Sequence, residues 1–269
     1  MTIIRQPAVA GQFYPGNASQ LSTTIRLYLD EVQTQQGPAP KALIVPHAGY
    51  VYSGPVAATA YARLRPYRRQ YTRVILLGPC HRVAVRGLAL SGADVFRTPL
   101  GDVPLDKEAI AKLVKAEFPE VTIFDATHQF EHSLEVHLPF LQSVIESFSL
   151  VPLVVGNVTP KVVARVIDAL WGGPETLIVI SSDLSHYLRY DEARATDNAT
   201  CEAIENLRYQ CIDHTDACGA TPIRGLLIAT KRRGMKVMTL DLRNSGDTAG
   251  DKSRVVGYGS WIFLEDGES

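Results

Sequence analysis

The chain has 269 residues, 46% of them hydrophobic, with 27 Lys and Arg against 28 Asp and Glu for a formal net charge of −1. That composition buries a full core without disulfides or a structural metal, which excludes a disordered chain and a stapled mini-protein. The balanced charge supplies no global basic field for nucleic acid or for an anionic membrane.

In chain order, Leu21, Ile25, Tyr28, Leu29 and Val32 follow helical periodicity after Asn17, which predicts an amphipathic helix with that stripe in the core. Residues 33–40, polar with Gly and Pro, read as a connecting loop inside one domain that spans 1–269. Short apolar runs then predict strands at 42–45, 73–77, 87–91, 151–155, 176–180, 236–242 and 254–263. Gly54-Pro55, Thr159-Pro160 and Thr221-Pro222 resemble helix starts, and Gly234 a helix stop. Val162, Val163, Val166, Ile167 and Leu170 give a second helical stripe. Alternating strand and helix patterns predict an α/β fold, a three-layer α/β/α sandwich around a mostly parallel or mixed sheet. The cysteines Cys80, Cys201, Cys211 and Cys218 lack CxxC spacing, no signal-peptide pattern opens the chain, and no apolar run approaches the roughly 18 residues that span a bilayer. A cytoplasmic protein without membrane or nucleic-acid partners is expected.

Three apolar runs end in ligand-capable residues: Val45-Pro46-His47, Gly78-Pro79-Cys80-His81, and Ser181-Ser182-Asp183-Leu184-Ser185-His186. Loops at the carboxyl ends of parallel strands converge on one crevice, so these residues are expected to meet. Two imidazoles with a carboxylate suit Fe(II), Mn or Zn. Asp183 and His186 suit equally a base and its orienting partner. Cys80, in an extended segment, points away from His81 and reads as a packed or redox-sensitive thiol.

Other patterns carry less. His128-Gln129-Phe130-Glu131-His132 matches H-x-x-E-H, which needs both histidines on one helix, whereas the periodicity of Leu134, Leu138, Leu141, Val144 and Ile145 starts the helix near His132. Glu135 and His137 then line the crevice as substrate or supporting groups. Gly49-Tyr50-Val51-Tyr52-Ser53-Gly54 has P-loop glycine spacing, but Pro55-Val56 stands where Lys-Ser/Thr is needed. Ser181, Ser182 and His186 occur without a G-x-S-x-G elbow.

Pro7-Ala8-Val9-Ala10-Gly11-Gln12-Phe13-Tyr14-Pro15, Val45-Pro46-His47-Ala48-Gly49-Tyr50, Leu77-Gly78-Pro79-Cys80-His81, Glu131-His132-Ser133-Leu134-Glu135-Val136-His137-Leu138-Pro139-Phe140 and Ser181-Ser182-Asp183-Leu184-Ser185-His186-Tyr187 together resemble the Memo family, whose prokaryotic members are named AmmeMemoRadiSam system protein B. That family is similar in fold to LigB-type (class III) extradiol dioxygenases, which hold non-haem Fe(II) with two His and a carboxylate. The resemblance implies His47 and His81 as metal ligands, with Fe(II), Zn or Cu as the metal. It implies catalytic His186 beside Asp183; Tyr50 joins Glu135 and His137 as an expected substrate or supporting group. It also implies redox chemistry on a small molecule, or a non-catalytic scaffold for a peptide or metabolite. Further implied partners are a radical-SAM protein and an AMMECR1-like protein of the same system. Eukaryotic members carry a Cys before the last strand; residues 243–251 here have none, and Asp247, just after the 236–242 run, is the carboxylate expected in its place, the alternative being that it closes a turn or caps a helix.

Overall fold

The computed structural model describes residues 2–33, 37–115 and 118–265, so part of the expected 33–40 loop lies outside the described residues. Among those residues the strands are β1 (Ile4–Arg5), β2 (Ala42–Val45), β3 (Arg73–Pro79), β4 (Leu88–Leu90), β5 (Val95–Thr98), β6 (Gly101–Pro104), β7 (Val121–Ile123), β8 (Ser149–Val155), β9 (Thr176–Ser181), β10 (His186–Leu188), β11 (Lys236–Asn244) and β12 (Val255–Leu264). The helices are α1 (Ala18–Asp30), α2 (Tyr50–Ala62), α3 (Lys107–Lys115), α4 (Ala126–Gln129), α5 (Leu138–Val144), α6 (Pro160–Ala169), α7 (Tyr190–Glu205), α8 (Ala220–Arg233) and α9 (Ser245–Thr248).

Strands β2, β9, β3 and β8 lie side by side and parallel at the centre of a nine-stranded mixed sheet. Every residue of β2 and β9 is buried. A parallel strand covered on both faces has no solvent side, which is why these segments are continuous apolar runs. Beyond β8, β4 runs antiparallel with β7 beside it; beyond β2, β12 runs antiparallel and carries β10 and β11. β1, β5 and β6 form a separate small sheet. Helices α1, α2 and α5 pack on one another, and α6 packs on α8, completing an α/β fold with helices flanking the sheet. No helix among the described residues is long and apolar enough to cross a membrane.

All seven expected strands are present. The added ones, β1, β5, β6, β7 and β10, are two to four residues long and mostly half-exposed, so they carry no apolar run to read. Asn17 caps α1 by accepting from the Gln20 amide, Pro160 opens α6, and Gly234 ends α8 at φ +63°. Two expected starts move. Helix α8 begins at Ala220, so Pro222 sits in its first turn, where an amide proton has no intrahelical partner anyway. Pro55 falls inside α2, which begins at Tyr50.

Candidate metal centre

Strands β2, β3 and β9 are mutually parallel through β9, so the chain leaving Val45, Pro79 and Ser181 delivers His47, His81 and Asp183 to one edge of the sheet. A fourth segment, between α4 and α5, is stitched to the same edge. The Ser133 hydroxyl donates to the Pro79 carbonyl at 2.8 Å, the Ser181 hydroxyl donates to the Ser133 carbonyl at 2.6 Å, and the His81 amide donates to Glu131 Oε2 at 2.5 Å. A Cβ on Gly78 would lie 2.8 Å from Leu134 Cδ2 and 3.0 Å from Ser133 Oγ, so this close approach requires glycine. The segment brings in His132. Ring nitrogens of His47, His81 and His132 all lie within 4.8 Å of one another.

Their orientation follows from what holds the far side of each ring. His47 Nδ1 is 2.6 Å from Ser181 Oγ, whose own proton goes to Ser133. The oxygen must therefore accept, which puts the imidazole proton on Nδ1 and leaves Nε2 its lone pair. His81 Nδ1 lies 2.9 Å from Glu131 Oε1, and a carboxylate there fixes the tautomer in the same sense. Burial alone would raise the Glu131 pKa, but the side chain of His81 and the amides of His81 and Ser133 prevail and hold it at about 2. Burial, then the neighbouring His81 and His132 charges, holds His47 well below its ordinary range, and burial lowers His132 as well. Neutral imidazoles are what a metal requires.

Asp183 Oδ1 accepts from the amides of His47 at 2.7 Å and Ala48 at 3.3 Å, and its Oδ2 stands 4.0 Å from His47 Nε2; burial pushes its pKa up. Cys218 Sγ is 3.4 Å from His47 Nε2, and burial with the nearby Asp183 charge pushes that thiol up to about 12. The three histidines, Asp183 and His186 line one cavity of about 730 Å³. His186 is exposed there; among the described residues Asp183 hydrogen-bonds the His47–Ala48 backbone and not His186.

Other expected residues are placed elsewhere. Glu135 is fully buried, receiving the Arg5 guanidinium, the Tyr14 hydroxyl and the amides of Ala8 and Val9. His137 is buried with Nδ1 2.9 Å from the Tyr61 hydroxyl, and the Tyr50 hydroxyl donates to the Val136 carbonyl. None of the three lines the cavity: the turn at Glu135–His137 carries the side chains of Glu135 and His137 into the core, and Tyr50 is buried at the start of α2. Asp247 lies near the correct sheet edge but closes a capping box on α9: its Oδ2 accepts from the Asn244 amide at 3.0 Å and its Oδ1 from the Tyr190 hydroxyl at 2.6 Å. The structure does not bring it into the histidine group. The H-x-x-E-H reading fails because α4 ends at Gln129; His128 is buried against the Ala89 carbonyl, while His132 lies beyond the helix. The Cys80 thiol donates to the Val83 carbonyl.

Sequence reasoning missed His132 and Glu131 as members of the centre. The signal was present in Glu131-His132-Ser133, but attached to the wrong partner, His128.

Residues 5–262 match the Memo-like protein family. A MEMO1 family protein of Aquifex aeolicus is 37% identical, covering 97% of this chain and 99% of the relative, and one from Sulfolobus acidocaldarius is 36% identical over the same shares. The solved structure of uncharacterized protein JW3007 from Escherichia coli K12 shares the fold at a TM-score of 0.55 and 14% identity, covering 82% of this chain and 98% of that one.

Proposed function

Since the chain belongs to the Memo family, we propose that it is a non-haem Fe(II) protein whose ion is held by His47, His81 and His132 and which carries out redox chemistry on a small molecule. The observation that carries this is three mutually close imidazoles, two of them tautomer-fixed from behind, on the wall of a 730 Å³ cavity. The donor set fits an ion. Among the described residues buried His132 Nδ1 finds no hydrogen-bond partner, a carboxylate oxygen of Glu131 lying 3.4 Å away. Three imidazoles with a carboxylate close by suit Fe(II), and also Zn or Cu.

When bound, the ion supplies redox chemistry and open positions for a ligand. The chain's own residues do the rest. Exposed His186 takes up or returns a proton at its imidazole on the cavity side. Asp183 positions His47 through the two amides it binds, and its Oδ2 stays available to hold a proton. Phe13, its ring 4.8 Å from that of His132, keeps water from one side of the group.

Anaerobic purification with metal analysis tests the reading. Replacing His47, His81 or His132 with Ala is expected to abolish stoichiometric metal, whereas Asp247→Ala and Asp183→Asn keep it. Undiminished metal in all three histidine variants would overturn the assignment. Oxygen uptake with a small-metabolite panel separates an enzyme from a scaffold that binds in the same crevice without turnover.

A further inference from the structure

The mouth of the crevice carries charge that the protein itself leaves unused. Arg82, next to His81, and Arg254, at the entry to β12, both line the cavity and both are exposed. Among the described residues neither guanidinium faces a carboxylate at ion-pair distance, and they are the two arginines on the cavity wall. The carboxylates on the cavity wall are already engaged: Asp183 by backbone amides and Asp251 by the Ser253 amide at 2.9 Å.

Beside Arg254 the wall is aromatic. Tyr187 is 65% exposed, and the Arg254 guanidinium lies 5.7 Å from its ring centroid. Its backbone sits at φ +59°, a conformation rare for a bulky L residue, where the β10–β12 register shifts between His186 and Leu188. Tyr52 and Tyr258 line the same cavity, and the hydroxyls of all three tyrosines make no hydrogen bond within the described protein.

From this arrangement we infer that the crevice takes a small organic oxyanion, its carboxylate or phosphoryl-type head bound by Arg82 and Arg254 and its flat apolar body laid against Tyr187 and Phe13. A guanidinium presents a fork of N–H donors that matches such a head, and a divalent cation deeper in the cavity adds to the same potential. The inference deepens the metal-centre reading by naming the class of ligand, and it rests on that reading only for what happens at the ligand's inner end.

The test is calorimetric titration of the full-length protein, metal-loaded and metal-free, with benzoate, phenylphosphonate, benzamide and benzylammonium. The two anions are expected to bind at least about tenfold more tightly than the neutral amide, with the cation weakest; the preferred anion identifies the head group. Arg82→Met and Arg254→Met are each expected to weaken the anions by roughly 10- to 100-fold, the loss of one charge-assisted hydrogen bond, while leaving benzamide binding and metal content unchanged. Tyr187→Gly relieves the left-handed backbone, so its melting temperature holds or rises while affinity for every ring probe falls. Equal affinity for benzamide and benzoate, no binding of any probe to metal-loaded protein at millimolar concentration, or full anion affinity in the double arginine variant would overturn the inference. Anion selectivity in protein that takes up no metal would instead sink the metal reading and leave this one standing.

Discussion

His47 and Ser181 are held 2.6 Å apart, Nδ1 to Oγ, and because the serine proton is committed to the Ser133 carbonyl the imidazole can only donate to it. One hydroxyl therefore joins the end of β9 to the Glu131–Leu134 segment and at the same time fixes which nitrogen of His47 faces the cavity.

Removing that hydroxyl in Ser181→Ala leaves a buried imidazole N–H unpaired and frees the tautomer. Metal affinity, measured by competition with a chelator, is expected to fall about 10- to 100-fold, and stability to urea by about 1–3 kcal/mol. Unchanged affinity would show that the tautomer is set by something else.

Glu135 has a different task. Its carboxylate is fully buried and receives Arg5, whose side chain is only 6% exposed. Glu135→Ala strands that guanidinium without a counter-charge, and a broken buried pair costs about 3–5 kcal/mol. Urea unfolding should show a loss of that order while the folded fraction keeps its metal. Loss of metal with unaltered stability would return Glu135 to the crevice.

His128 makes the fold acid-sensitive. Burial, partly offset by its hydrogen bond to the Ala89 carbonyl, lowers its pKa to about 4. A histidine whose folded pKa is depressed contributes stability that is fully present above its unfolded value near 6.5 and lost as pH falls toward 4, because the unfolded chain binds the proton first. The loss is on the order of 3 kcal/mol over that window. His128→Gln, which keeps a donor for the carbonyl, should give a flatter dependence of the unfolding midpoint on pH between those limits; an identical slope would show that other groups carry it.

Gly257 guards the loop that bears His186. A Cβ there would lie 2.1 Å from Asp197 Oδ2, and Asp197 Oδ1 accepts from the Ser185 amide at 3.0 Å. The Gly257 amide also donates to the Ser185 carbonyl at 2.8 Å. Gly257→Ala is expected to cost about 1–3 kcal/mol through overpacking and to shift the imidazole resonances of His186 in an NMR spectrum. A variant of wild-type stability with unshifted resonances would mean that the carboxylate yields without moving the loop.

Local information carried the sheet and half of the centre. The runs that became β2, β3, β8 and β9 are apolar throughout because both faces are covered, and the Pro46-His47 and Pro79-Cys80-His81 sequences follow directly on strand ends, so their convergence could be read from the chain. The five short strands could not, since two to four half-exposed residues show no periodicity.

An α/β chain with a mixed sheet, and the delivery of His47, His81 and Asp183 to its carboxyl edge, can be read from neighbouring residues alone, because strand burial and strand ends are local features. What joins His47 and His81 depends on contacts between distant segments. Asp247 follows a strand of suitable direction, yet a capping box over Asn244–Asp247 turns its carboxylate onto the Asn244 amide. His132 follows no strand, yet Ser133 binds Pro79 across 54 residues of chain and Ser181 across 48, and these bonds carry it in. Hydrogen bonds over such separations depend on where two segments meet in space, which no periodicity along the chain records.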